Sequence, residues 1–259
     1  MLSELEELTN SGWVDPNPPI QIHEHEGFLV VRDDLLGCGS KVRFVDYLIR
    51  NMPQQEIVFG ACPATGFAQI SLPVVAKRYE KSVHLFMAYR EEKNYTEFQK
   101  RGIALGSIYH WIHDGMLNVT KKRASEYQEL DPSNRVILPI GLEHPSVLAS
   151  IIHVAQTQIP FTPDHVWSVG SSGCLNRGLQ LAWPDAEVHV VSVGHTMTPA
   201  TIGRATMHRS PYPFERAVKK IDVPPYPSAP TYDAKCWRPM VDWYRNHDKP
   251  KKVLVWNVA

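Results

Sequence analysis

Short hydrophobic runs alternate along the chain with segments whose apolar residues recur every three or four positions. The runs are rich in β-branched residues and predict strands at 28–31, 57–59, 83–87, 136–138, 166–169, 187–193 and 253–256. Helical spacing predicts helices from Ser40, from Gly66 to about Tyr79, from Pro145, after Gly173 and over 234–244. The alternation predicts an α/β fold with largely parallel sheets.

The segment 93–127 has the weakest pattern. Helical periodicity is visible only in its first half. Within it, Lys121-Lys122-Arg123 is a basic run that predicts an exposed, solvated surface.

The composition is that of an ordinary globular protein. The 259 residues are 43% hydrophobic, enough for the core of one large or two small domains, and 27 basic residues balance 27 acidic ones. No apolar run reaches the roughly twenty residues of a membrane helix, and residues 1–7 are acidic where a signal peptide is basic. We therefore expect a cytoplasmic protein that makes no membrane contact.

The spacing of the cysteines and histidines matches neither a disulfide framework nor a common metal-binding motif. The cysteines lack a Cys-x-x-Cys pair and are expected to be free thiols: Cys38, Cys62, Cys174 and Cys236. The pairs His110/His113 and His23/His25 could each share a face, but neither has an evident third ligand. No metal site is predicted.

The segment Val169–Cys174 is a glycine-rich turn between a predicted strand and a predicted helix. Its backbone N–H groups and the helix dipole could bind a phosphate, although such turns also form for packing alone. It matches neither the Gly-x-Gly-x-x-Gly dinucleotide fingerprint nor the Gly-x-Ser-x-Gly nucleophile elbow.

Lys41 lies in Gly39-Ser40-Lys41-Val42-Arg43, at the first turn of a helix that Ser40 can cap. A lysine forms a Schiff base readily when burial or a nearby cation lowers its pKa, and Arg43 could supply such a charge. By its local sequence alone, Lys41 could equally be a surface lysine.

Several segments together resemble the fold-type II pyridoxal-phosphate enzymes of the tryptophan synthase beta-like superfamily. The branch with aminocyclopropane-carboxylate deaminase and D-cysteine desulfhydrase is the most similar. The likeness covers roughly residues 17–259 and rests on six segments in family order: Val30–Leu35, Gly39–Arg43, Gly141–Pro145, Val169–Cys174, Pro230–Lys235 and Lys251–Val255.

The resemblance implies an architecture of two open, twisted, mostly parallel sheets flanked by helices, with the cofactor in the interdomain cleft. It implies a larger cofactor-binding domain of residues 1–45 and 150–259, a smaller α/β domain of residues 46–149, and a homodimer.

It also assigns roles. Lys41 would hold pyridoxal 5'-phosphate as a Schiff base and act in catalysis together with Tyr232. Asp233 would face the pyridine nitrogen, although it could instead only cap the helix that follows. The cofactor phosphate would be bound by Gly170, Ser171, Ser172, Gly173 and Cys174.

The loop Gly60–Gly66 stands where the family binds the substrate carboxylate, but the family's asparagine is missing. Pro63 removes one backbone donor as well. The remaining candidate substrate-binding residues are Cys62, Ala64, Thr65 and Gly66.

The resemblance implies a lyase or deaminase of amino-acid metabolism that links its substrate to the cofactor and breaks a bond at or beyond Cα. One alternative is a decarboxylase or lyase acting on an amino-acid adduct of a modified thymine, as in bacteriophage DNA modification. Zero net charge argues against this alternative, because a DNA-borne substrate favours a basic groove. A second alternative is an inactive, ligand-binding pseudoenzyme.

Overall fold

The protein is described by a computed structural model that covers residues 2–194 and 197–259. Met1, which begins the predicted acidic N-terminus and larger domain, lies outside them. The chain divides into two compact units. The first comprises the residues up to Arg43 together with Leu148–Ala259, and the second is Phe44–Val147.

Among the described residues the strands are β1 (Ile22–His25), β2 (Phe28–Arg32), β3 (Glu56–Phe59), β4 (Ser82–Ala88), β5 (Ile108–Ile112), β6 (Arg135–Ile137), β7 (His165–Gly170), β8 (Glu187–Ser192), β9 (Thr206–Arg209) and β10 (Val253–Asn257). The helices are α1 (Leu2–Asn10), α2 (Lys41–Phe44), α3 (Asp46–Asn51), α4 (Ala68–Arg78), α5 (Glu97–Ala104), α6 (Leu117–Glu129), α7 (Pro145–Gln158), α8 (Cys174–Ala182), α9 (Pro199–Ile202) and α10 (Trp237–Tyr244).

The first unit contains a six-stranded sheet in the order β1-β2-β10-β7-β8-β9. All of its pairings are parallel except the β1–β2 hairpin. The central strand β10 is buried along its whole length, as expected for a parallel strand covered on both faces. Phe28, Trp167, Val255 and Trp237 belong to the core beside this sheet.

The second unit contains a four-stranded parallel sheet in the order β5-β4-β3-β6. Val58 and Phe86 pack with Ala124 of α6 in the core of this unit. The predicted α/β class with two largely parallel sheets is confirmed.

The helix predicted from Ser40 is interrupted. It begins at Lys41 but breaks at Val45, just after the chain passes from the first unit into the second between Arg43 and Phe44. The buried carboxylate of Asp46 then accepts hydrogen bonds from Arg78 and Tyr79, which fixes the start of α3 against the end of α4.

The weak pattern over 93–127 conceals three elements, α5, β5 and α6. Strand β5 was not predicted from the sequence. As an edge strand it carries partly buried side chains on both faces, so it lacks the alternation that marks a half-buried strand. The basic run on α6 is exposed, as predicted. None of the helices that the structure describes combines the length and apolar character needed to cross a bilayer.

Candidate active site

Lys41 is the first residue of α2 and directly follows a left-handed turn, in which Gly39 has a φ of 75°. Its side chain is partly buried, and its ammonium group acts electrostatically on the carboxyl of Asp233. Asp233 begins a short 3-10 helix, Asp233–Cys236, almost two hundred residues along the chain. The fold thus brings Lys41 and Asp233 into one electrostatic environment.

A buried ion-pair triad anchors the helix that carries Lys41. The Arg43 guanidinium donates to Asp33 Oδ1 at 2.9 Å and to a carboxylate oxygen of Asp15, and all three side chains are about 1% exposed. Burial raises the pKa of Asp33, and Arg43 opposes that rise. The charge of Arg43 is therefore balanced by two carboxylates, which gives this residue a structural role.

Trp256 joins the triad to the end of strand β10. Its indole N–H lies 3.1 Å from Ser40 Oγ and 3.3 Å from Asp33 Oδ2. The Ser40 backbone N–H also donates to the Val258 carbonyl at 3.0 Å. The Ser40 hydroxyl, predicted as a helix cap, is thus engaged with the core beside Lys41.

Asp233 is buried, with 4% of its surface exposed. Its Oδ2 accepts the backbone N–H of Ala259 at 3.2 Å, while Oδ1 has no hydrogen-bond partner. Burial raises the pKa of Asp233 to about 7. The backbone N–H of Val258, the charge of Lys41 and the backbone N–H of Ala259 each lower this pKa, but by less than burial raises it. In the described structure the carboxylate accepts from the C-terminal segment and not from its own helix, and that helix begins at Asp233 itself, so the interpretation of Asp233 as a simple cap of a helix from Ala234 is wrong.

Tyr232 links Asp233 to the glycine-rich turn. Burial raises the pKa of its hydroxyl, Asp233 raises it further, and a hydrogen bond from the Ser171 backbone N–H opposes both. The phenol therefore stays protonated at neutral pH. The Tyr232 hydroxyl thus lies near the Ser171 backbone N–H of the glycine-rich turn.

The turn itself has the predicted position. Strand β7 ends at Gly170 and α8 begins at Cys174. Gly173 has a φ of 85°, and a Cβ there would lie 2.6 Å from the Thr201 carbonyl oxygen. Glycine is thus required both by the backbone conformation and by the close approach of residue 201.

The loop Gly60–Gly66, in the second unit, is organised by the side chain of Gln69. The buried Nε2 of Gln69 lies 3.0–3.1 Å from the carbonyl oxygens of Pro63, Ala64 and Gly66. In a trans peptide, N–H and C=O point in opposite directions. The N–H groups of Ala64 and Thr65 are therefore directed away from Gln69, and the Thr65 side chain is exposed.

Cys62 contacts the loop through its side chain. Its thiol lies 3.8 Å from the Gly66 carbonyl oxygen, across the base of the loop. Gly66 itself closes the loop, since its N–H donates to the Pro63 carbonyl at 2.8 Å. Within this loop, the N–H groups of Ala64 and Thr65 lie on the side opposite the carbonyls that Gln69 binds.

No family model and no curated protein matches the chain. Solved structures do, and three of them share 11–16% sequence identity with the chain. A structure described as an ACC deaminase homologue has a TM-score of 0.76 at 16% identity, covering 95% of this chain and 90% of that chain. Threonine deaminase isoform 2 from Solanum lycopersicum has a TM-score of 0.71 at 13% identity, covering 100% and 88%. A pyridoxal 5'-phosphate-dependent aspartate racemase has a TM-score of 0.65 at 11% identity, covering 100% and 95%.

The fold is that of fold-type II pyridoxal-phosphate enzymes. In this fold-type II chain, the first unit brings together Lys41, Tyr232, Asp233 and the turn at Ser171. The loop with Cys62, Ala64, Thr65 and Gly66 belongs to the second unit.

Three residues that organise these segments were not singled out in the sequence: Asp15 and Trp256 in the first unit, and Gln69 in the second. Asp15 and Trp256 act through contacts with residues distant in sequence, and no local motif marks them. Gln69 offers a faint signal, because a glutamine directly after a Gly/Pro loop can return hydrogen bonds to the loop carbonyls.

Proposed function

We propose that this chain is a pyridoxal-phosphate-dependent enzyme that binds its cofactor through Lys41 and acts on an amino-acid substrate. The observation that carries the proposal is the Asp233 carboxyl. It is buried, one of its oxygens is unpartnered, and it lies within the electrostatic reach of Lys41. The fold-type II architecture supports the same assignment.

A pyridine nitrogen fits the unpartnered oxygen of Asp233. A buried polar atom without a partner costs roughly 1–3 kcal/mol, and a ring N–H would satisfy it. With a pKa of about 7, the carboxyl can hold or release a proton at neutral pH. Asp233 would thus keep the ring nitrogen protonated.

The turn Gly170–Cys174 would hold the phosphate. It supplies backbone N–H groups at the N-terminus of the nine-residue helix α8, where the helix dipole favours an anion. The hydroxyls of Ser171 and Ser172 could add hydrogen bonds. The Ser171 N–H already reaches Tyr232, which would fix the tyrosine beside the bound group.

Bound pyridoxal phosphate supplies an electron sink for a bond broken at or beyond the substrate Cα. The Lys41 amine would form the covalent link to the cofactor and, once released, move a proton at the substrate Cα. The Tyr232 hydroxyl, kept protonated by burial, would donate its proton to a departing group. Asp233 would hold the proton at the ring nitrogen throughout.

The loop around Thr65 would bind the substrate carboxylate. The backbone N–H groups of Ala64 and Thr65 point away from the Gln69 amide, and the Thr65 hydroxyl, on an exposed residue, is a third donor. Three donors from one short loop suit a carboxylate.

The cofactor assignment is tested by spectroscopy and peptide mapping. We expect a yellow protein whose near-visible absorbance disappears on borohydride reduction, with the cofactor mass on the peptide that contains Lys41. Lys41→Ala should abolish the absorbance, and Lys77→Ala, at an exposed position, should leave it unchanged. A colourless chain that refuses added cofactor would identify a pseudoenzyme and overturn the proposal.

Lys235 is the informative rival in this mapping. It is buried, and burial lowers its pKa, but its ammonium group donates to the carbonyls of Pro213 and Phe214 at 2.8 and 2.7 Å. These hydrogen bonds favour the charged form of the Lys235 amine, which cannot form a Schiff base. Cofactor mass on the Lys235 peptide would contradict the assignment of Lys41.

The reaction is tested with separate product assays. Solved structures of this fold include an ACC deaminase homologue, a threonine deaminase, a diaminopropionate ammonia lyase, a serine racemase and an aspartate racemase. We expect ammonia with a keto acid from one or more free amino acids. Sulfide, carbon dioxide and the opposite enantiomer are measured in parallel. A nucleoside that carries an amino-acid adduct is tested as a further substrate. Release of carbon dioxide from this nucleoside, and from none of the free amino acids, would favour the decarboxylase alternative.

A further inference from the structure

A second cluster of titratable side chains lies at the opposite end of strands β7 and β8 from the turn at Gly170. His165 and Glu187 are the first residues of these strands and are paired in the sheet register. His189 lies two residues further along β8, on the same face as Glu187. Gly170 is five positions along β7 from His165, about 16 Å along the strand. This cluster is therefore distinct from the proposed active site.

The spacing of the cluster matches the requirement of one metal ion. One nitrogen or carboxylate oxygen from each of His165, Glu187 and His189 lies within 4.8 Å of the others. His189 Nε2 is 3.1 Å from His165 Nδ1. Neighbouring ligands of a tetrahedral Zn²⁺ with Zn–N bonds of about 2.0–2.1 Å are about 3.3 Å apart. The two imidazole nitrogens are already close to this separation.

His165 Nδ1 has more neighbours within hydrogen-bonding distance than one ring nitrogen can bond. His165 Nδ1 is approached by the Tyr244 hydroxyl at 2.7 Å and by His189 Nε2 at 3.1 Å. A ring nitrogen has one in-plane lone pair or one N–H, so only one of these contacts can be a well-formed hydrogen bond. A cation placed between the atoms would use the lone pair of each nitrogen and of the Tyr244 oxygen. The Trp167 indole N–H donates to the Tyr244 hydroxyl at 3.2 Å, and Glu187 Oε2 lies 3.6 Å from His165 Nε2. An ion at His165 Nδ1 would therefore take the place of the Tyr244 proton and draw Glu187 from the other ring nitrogen.

The outer contacts orient the imidazoles as metal ligands require. His189 Nδ1 lies 3.1 Å from His208 Nε2, and the His189 ring stacks on Trp167 with centroids 4.2 Å apart and planes 7° from parallel. A metal-binding histidine usually gives its second ring N–H to such an acceptor. His208 is therefore a positioning residue for His189.

We propose that His165, Glu187 and His189 bind one divalent transition-metal ion of the Zn²⁺ class, with Tyr244 or water as the fourth ligand. Imidazole with one carboxylate is a ligand set typical of zinc. The ion would tie the ends of β7 and β8 to helix α10. The proposal is independent of the cofactor chemistry, and it revises the expectation of no metal site.

The test is Zn²⁺ titration of the untagged full chain, dialysed against chelator, by isothermal calorimetry. We expect one Zn²⁺ per chain with a dissociation constant of about 1 μM or lower. Glu187→Gln and His165→Gln should each weaken binding by about tenfold or more. Glu187 has 69% of its side chain exposed, so its variant should fold normally.

Two matched variants serve as controls. Asp185→Asn changes a nearby exposed acid and His113→Gln a distant exposed histidine, and both should bind Zn²⁺ like the parent chain. Co²⁺ should give a visible absorption band that Glu187→Gln removes. Absence of Zn²⁺ binding by the parent chain, or binding that both ligand variants leave unchanged, would overturn the proposal.

Discussion

Burial raises the pKa of Asp233 to about 7, and the ammonium group of Lys41 acts on the same carboxyl in the opposite direction. These residues lie at opposite ends of the chain. Their coupling means that the protonation of Asp233 depends on the charge of Lys41. A change at either residue should therefore be visible in the titration of the other.

The first prediction concerns stability against pH in the cofactor-free chain. The pKa of Asp233 is about 7 in the folded state and near the ordinary aspartate value of 3.8 in the unfolded state, so folding favours the protonated carboxyl. The protonated carboxyl contributes on the order of 4 kcal/mol to the free energy of unfolding. This contribution is complete below pH about 4 and is lost as pH rises through about 7. Asp233→Asn should flatten this part of the stability profile.

Urea unfolding between pH about 4 and 8 measures this effect, because the midpoint reports the free energy of unfolding. Asp248→Asn, at an exposed position, should retain the parent profile. Identical profiles for the parent chain and Asp233→Asn would show that Asp233 does not titrate in this range.

The second prediction concerns Tyr232. Tyr232→Phe keeps the ring but removes the hydroxyl that accepts the Ser171 N–H. Turnover of the amino-acid substrate should fall by about 100-fold, the scale of a lost proton donor. The near-visible absorbance of the bound cofactor should persist. Tyr89→Phe, on an exposed tyrosine, should leave turnover unchanged, and full activity in Tyr232→Phe would exclude a catalytic role.

The third prediction concerns the buried ion pairs of Arg43 with Asp15 and Asp33. Arg43→Met leaves the carboxylates of Asp15 and Asp33 buried without their cation. The free energy of unfolding should fall by about 3–5 kcal/mol. Arg50→Met, on the exposed side of α3, should change it by less than about 0.5 kcal/mol. A small loss in Arg43→Met would mean that the carboxylates become protonated instead.

The fourth prediction concerns the loop that Gln69 organises. Gln69→Leu removes the amide that binds three loop carbonyls. Amide hydrogen exchange at residues 64–66 should become faster, and KM for the amino acid should rise while cofactor absorbance is retained. Gln55→Leu, at an exposed position, should alter neither measurement. Unchanged exchange in Gln69→Leu would assign the loop's order to other contacts.

Local sequence was sufficient for most of the fold. Buried parallel strands such as β7 and β10 appear as continuous apolar runs, and helices such as α7 and α8 begin after marked turns. The helix start at Lys41 and the turn before Cys174 could be predicted because glycine and capping residues act within a few positions of themselves. The edge strand β5 could not, since neither of its faces is fully buried.

By itself, the sequence determined the α/β alternation, the place of Lys41 at a helix start and the turn at 170–174. Only the tertiary structure decided the break at Val45, the burial of Asp233 and its coupling to Lys41, and the triad of Asp15, Asp33 and Arg43. The physical reason is that periodicity and turns are short-range properties. Burial, pKa and ligand geometry depend on atoms brought together from residues that are far apart in the chain.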